Sequence, residues 1–204
     1  MRSKLLLVYP VLLPVVMFAV FQAYSHFLTP KFAHLSGMAT YWLLLLVVSL
    51  RCTGTKGFSR IMMSTQCGGA LSILLVIPVA LAIGFGPFLK RLPIVTPLVV
   101  TLSLLQSLAN ANLEEIFWRG VYVDSFPDVW RAYLYPTVGF AVWHFAPLSV
   151  IPYSHGQTRF VVSALFLGLC WGLVAFRTKS VRWTILSHFL VDFSGFGALA
   201  YLGT

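Results

Sequence analysis

Acidic residues are the scarcest feature of this sequence. Only five occur among 204 residues (Glu114, Glu115, Asp124, Asp128 and Asp192), and charged residues of both signs make up 9%. A soluble domain carries about a quarter charged residues, so the composition excludes an ordinary soluble domain and indicates a polytopic membrane protein. The roughly ten-residue apolar–polar alternation of membrane barrel strands is also missing. The apolar runs are instead long and continuous. Three cysteines (Cys52, Cys67 and Cys170) are odd in number and lack metal-ligand spacing, which argues against a disulfide framework and a zinc knuckle. A contiguous basic face, which nucleic-acid binding needs, is absent as well. The net charge of +9 comes mostly from Lys and Arg between apolar runs, where they orient helices and meet anionic lipid. No internal repeat or low-complexity segment is visible.

What the chain does contain is a series of apolar runs that predicts an all-α transmembrane bundle of about seven spans. Arg2 and Lys4 precede a first run from Leu5 to about Leu28. That run is long for a signal peptide and no small-x-small cleavage site follows it, so it is read as a span kinked by Pro10 and Pro14. Thr29 to Gly37 reads as a loop, Met38 to Leu50 as a short second run, and Arg51 to Arg60 as a basic connection. A third run covers about Ile61 to Phe85, and a fourth starts near Ile94 and continues to about Tyr122. Val123 to Tyr135 mixes Trp130, Tyr133 and Tyr135 with charges, as the membrane–water interface does. The last three runs span Pro136–Ile151, Arg159–Phe176 and about Trp183–Leu202. In the sixth, the spacing of Gly168 and Gly172 predicts close packing within the bundle. Loop charge favours a cytoplasmic N-terminus, with Lys90 and Arg91 against the trend.

Ionisable residues inside such runs are costly and usually face a bundle interior or a wet cavity. Glu114 and Glu115 stand in the fourth run, His144 in the fifth, and His188 and Asp192 in the seventh. At about 1.5 Å of rise per residue, Glu114 and His144 lie roughly 12 Å from the cytoplasmic end of their helices. His188 and Asp192 lie roughly 8 and 14 Å in. All four are therefore expected to meet in one layer of the cytoplasmic half of the membrane. Glu115 and Arg119, four apart, share a face and can pair. Glu114 points about a quarter-turn away and is expected to be free. His188 and Asp192 share a face, as do Phe140 and His144. Phe117, Trp118, Trp143 and Phe189 are expected to keep the site dry. His26 and His34 are read as interfacial and His155 as a solvated loop residue.

A dry pocket holding carboxylates and imidazoles suits hydrolysis of a peptide bond by general acid–base chemistry. Glu114 with His144 could deprotonate a water, and His188, oriented by Asp192, could hydrogen-bond the developing oxyanion. A second reading makes Glu114, His144, His188 and Asp192 ligands for Zn²⁺ or a similar metal. The bland alternative is a buried structural salt-bridge network.

These residues form three ordered motifs: Glu114-Glu115-x-x-x-Arg119, Phe140-x-x-x-His144 and His188-x-x-x-Asp192. Together they resemble the signature of the CPBP intramembrane proteases, which include the Rce1-type CAAX prenyl endopeptidases. The resemblance covers about residues 94–202. It divides the chain into three N-terminal spans (1–93), which carry no family motif, and a four-span catalytic core (94–204). It implies a protease cutting near the C-terminal or membrane-proximal part of a membrane-associated protein. It also implies water activation by Glu114 and His144, and oxyanion stabilisation by His188 and Asp192. The family's last motif position is often Asn, and here it is Asp192. An anion there opposes catalysis unless it is protonated or holds His188 as an imidazolium, and it would add a ligand for a metal. A non-catalytic scaffold or self-immunity protein with the same fold is the alternative.

Overall fold

The computed structural model describes residues 5–63, 96–151 and 156–193. Among them there is no strand, and the architecture is all-helical. Helix α1 is Tyr9–Ser25 and α2 is Pro30–Met63. Helix α3, Pro97–Glu115, runs on through a π-helical turn, Ile116–Val121, into Tyr122–Ser125. A second π turn, Trp130–Leu134, leads into α4, Tyr135–Trp143, and a short α5, Phe145–Leu148. Helices α6, Gln157–Thr178, and α7, Arg182–Val191, follow. Two segments, Pro30–Ile61 and Gln157–Thr178, are long and apolar enough to cross a membrane, and Tyr9–Ser25 is a shorter apolar helix. Most of the expected third span, and the end of the seventh beyond residue 193, lie outside the described residues, as does His155.

Two stretches read as irregular are helical. The expected loop at Thr29–Gly37 is the first part of α2, whose first turn closes with Ala33 N–H donating to Thr29 O at 2.8 Å. Pro30 opens the helix, at a position where a missing N–H costs nothing. Gly37 is a contact residue, since a Cβ there would fall 2.3 Å from the Phe21 ring of α1. The expected basic connection at 51–60 is also helical apart from a kink at Gly54, whose φ of 71° is open to glycine. At the N-terminus, Pro10 sits in the first turn of α1 instead of kinking it, while Pro14 lies inside the helix.

Glycines set how closely the helices around the site approach. A Cβ on Gly139 of α4 would lie 2.8 Å from Pro10 Cα, so α1 and α4 touch backbone to backbone. On α6, Cβ atoms at Gly168 and Gly172 would press on Phe140 and on Tyr133, at 3.0 and 2.6 Å. Both glycines therefore serve packing inside the chain. Gly120, in the π turn, gives room to Ile61 at the end of α2 in the same way.

Candidate active site

The fourth predicted run positions the carboxylates. Its apolar helix α3 carries Ser103, Ser107, Asn110 and Glu114 at offsets of four, three and four, which place them on one inward stripe. Glu114 is fully buried, and it is not free as its helical angle suggested. Tyr41 of α2 donates its O–H to Glu114 Oε1 at 2.6 Å, and Trp118 Nε1–H donates to the Tyr41 oxygen at 2.8 Å. Asn110 Nδ2 donates to Glu114 Oε2 at 3.2 Å and to Asp192 Oδ2 at 2.9 Å, while its Oδ1 accepts from Trp42 Nε1 at 2.9 Å. Asn110 thus ties α3 to α7 and to α2.

Glu115 and Arg119 face each other across one turn, with Nη1 2.9 Å from Oε1 and both side chains buried. No Arg119 nitrogen has hydrogen-bond geometry to a partner among the described residues, so this attraction is Coulombic. The guanidinium also lies over the Phe140 ring, 3.9 Å from its centroid, and over the Trp171 ring at 5.5 Å. Such stacking stabilises a cation that has left water. The π turn holding Arg119 begins directly after Glu115; turns of this kind are rare and often mark functional sites. Nothing in the residue pattern forecasts it.

His188 sits among three carboxylates. Its Nδ1 lies 2.9 Å from Glu115 Oε1, and its Nε2 lies 3.4 Å from Glu114 Oε2 and 3.5 Å from Asp192 Oδ1. Glu115, not Asp192, is therefore its closest orienting group. Trp171 of α6 stacks on the imidazole at 4.3 Å; Phe189, expected to help keep the site dry, stacks on Phe193.

His144 terminates α4. Its Nδ1 lies 2.8 Å from Phe140 O, a carbonyl that can only accept, so Nδ1 carries the proton and Nε2 is left for chemistry. Phe140 stands edge-on to His144 at 4.8 Å and to His188 at 6.0 Å, between the two imidazoles. His144, Asp192 and Asn110 line a cavity that also touches His34, Ser107 and Trp143. It has room for only a few waters. His34, read as interfacial, is 5% exposed and faces this cavity, whereas His26 is exposed.

The seven motif residues are thus brought to one buried region. Sequence reasoning missed Tyr41, Asn110 and Trp171. The inward polar stripe on α3 was a readable signal for Asn110, while nothing local marks Tyr41 or Trp171.

Metal ligation by Glu114, His144, His188 and Asp192 is not favoured by this arrangement. Both Glu114 oxygens are engaged, by Tyr41 and by Asn110, and both His188 nitrogens face carboxylates. Among the described residues no three His, Cys, Asp or Glu side chains form a group suited to a metal ion.

A family model described as Rce1-like, Type II CAAX prenyl endopeptidase Rce1-like, matches residues 96–194. Over this segment, just under half of the chain, the protein is similar to the Rce1-like family. The Rce1-like segment contains all seven motif residues, while Tyr41 and His34 reach the site from outside it. Searches of curated proteins and of solved structures returned no match.

Proposed function

We propose that this protein is an intramembrane endopeptidase that hydrolyses a peptide bond in the membrane-proximal or C-terminal part of a membrane-associated protein. The match of residues 96–194 to the Rce1-like family model supports a CAAX-type peptidase at the coarse level. The observation that carries the reading is that Glu114, His188 and Asp192 meet inside a helical bundle while Asp192 and His144 line one small cavity beside them. In this proposal the bundle has seven spans, a cytoplasmic N-terminus, and a site in the cytoplasmic half of the bilayer.

The chemistry follows from the hydrogen bonds. A water in the cavity meets His144 Nε2, and Glu114 is the base that takes its proton. Glu114 must first exchange one present partner for that water, and Asn110, at 3.2 Å, is the longer of its two hydrogen bonds. His188 donates to the oxygen on which negative charge develops. Its contacts with Glu115, Glu114 and Asp192 match the imidazolium form, so Asp192 acts as counter-charge and leaves the donor available. Arg119 balances Glu115, so two adjacent carboxylates can be buried together.

The test is cleavage by purified, lipid-reconstituted protein of a reporter carrying one membrane span and its C-terminal tail. Glu114→Gln and His144→Ala should each lower kcat by at least about a hundredfold. Wild-type turnover by both variants would rule out this assignment.

A further inference from the structure

The cavity lined by His144 and Asp192 is also lined by polar side chains that the mechanism does not use. These are His34 of α2, Ser107 of α3 and Trp143 of α4, exposed by 5%, 1% and 1%. Neither His34 nitrogen, nor Ser107 Oγ, nor Trp143 Nε1 has a hydrogen-bond partner among the described residues. Leaving such groups buried without partners is costly. Their position next to His144 and Asp192 indicates a ligand that enters the same cavity.

From this we infer that His34, Ser107 and Trp143 form a subsite for the substrate's main chain, on one side of the bond to be cut. This rests on the protease reading. A neutral imidazole offers one donor and one acceptor, a serine hydroxyl offers both, and an indole offers a donor. A peptide unit needs that combination, having one N–H and one C=O. An anionic ligand fits poorly because Asp192 lines the same cavity. A peptide drawn into a helical bundle within the membrane also has to satisfy its backbone there, since lipid offers no partner. The His34 ring packs against Phe21 at 6.1 Å, which holds it in place at the wall.

The test compares wild type, His34→Phe and Ser107→Ala, with the reporter described above. Phe keeps the ring contact with Phe21 and removes both nitrogens; Ala removes only the hydroxyl. Each variant should raise KM by about tenfold and change kcat by less than about threefold. Replacing the peptide bond next to the cleavage site with an ester should weaken wild type more than His34→Phe, because the N–H it removes has lost its partner in the variant. If the variants lower the unfolding temperature and leave KM unchanged, these side chains only bind structural water and the inference is overturned. If wild-type protein fails to cleave the reporter, the protease reading falls and this subsite falls with it.

Discussion

Tyr41→Phe removes one oxygen atom, and the structure gives that atom two duties. It donates to the buried Glu114 carboxylate at 2.6 Å and accepts from Trp118 Nε1 at 2.8 Å. A hydrogen bond to a charged group contributes about 1.5–3 kcal/mol in soluble proteins, while hydrogen bonds between membrane helices average nearer 0.6. A value of about 2 kcal/mol for the Glu114 bond lies between these limits. The stranded Trp118 N–H adds about 1 kcal/mol. A total of about 3 kcal/mol corresponds to a fall of about 6–12 °C in Tm for a chain of this size. The ring itself remains stacked on Trp143 at 3.6 Å, so packing is conserved. Tyr24→Phe is the control, since it removes a neutral, partly buried contact to Thr40 between α1 and α2 and should cost less than about 1 kcal/mol. Turnover by Tyr41→Phe should fall about tenfold as Glu114 loses its shortest tie. Thermal unfolding in detergent and single-turnover cleavage measure both effects. Equal losses in the two variants, or none at Tyr41, would refute the reasoning.

Further predictions concern charge and packing. Arg119→Ala leaves Glu115 buried against His188 without its cation and should cost about 3–5 kcal/mol; adding Glu115→Gln should recover part of that loss in the unfolding midpoint. Gly139→Ala puts a Cβ against the Pro10 backbone, which cannot swing aside, and should destabilise the fold by about 1–3 kcal/mol in the same assay. In the exposed connection between Ser125 and Tyr135, the Arg131 backbone N–H, with the Arg131 side chain, holds Asp128 below the ordinary carboxylate range. That local contact is complete above the ordinary carboxylate range and is lost as pH falls through the lowered value. A carbon NMR titration of the Asp128 carboxyl should therefore show a midpoint below that of a free aspartate, and Arg131→Ala, which keeps the backbone donor, should raise it only part of the way.

The parts of the site legible in the sequence are those set by spacing along one helix. Glu115 and Arg119, Phe140 and His144, and His188 and Asp192 are each four apart, and each pair meets as that spacing requires. Contacts between helices were not legible in the same way. Glu114 faces away from Arg119, but its angle says nothing of the phenol arriving from 73 residues earlier. His188 is likewise nearer to Glu115 than to its own helical neighbour Asp192, because α3 and α7 pack at that point. Segment ends were misread where Pro and Gly served other purposes. Pro30 begins a helix and Gly37 lets Phe21 approach, so neither marks a loop. Charge misled in the same manner at 51–60, where basic residues on an extended helix resembled a connection. The amphipathic character of α3 went unused, although Ser103, Ser107 and Asn110 repeat on the face that carries Glu114.

Hydrolysis by a water that Glu114 activates has a direct isotopic signature. Purified protein in proteoliposomes is given the one-span reporter in water enriched in oxygen-18, and the new C-terminus is weighed by mass spectrometry. Wild type should yield a cleaved product whose new carboxylate carries one heavy oxygen, and Glu114→Gln should yield almost none. Product formed equally well by Glu114→Gln, or product without the label, would contradict the mechanism.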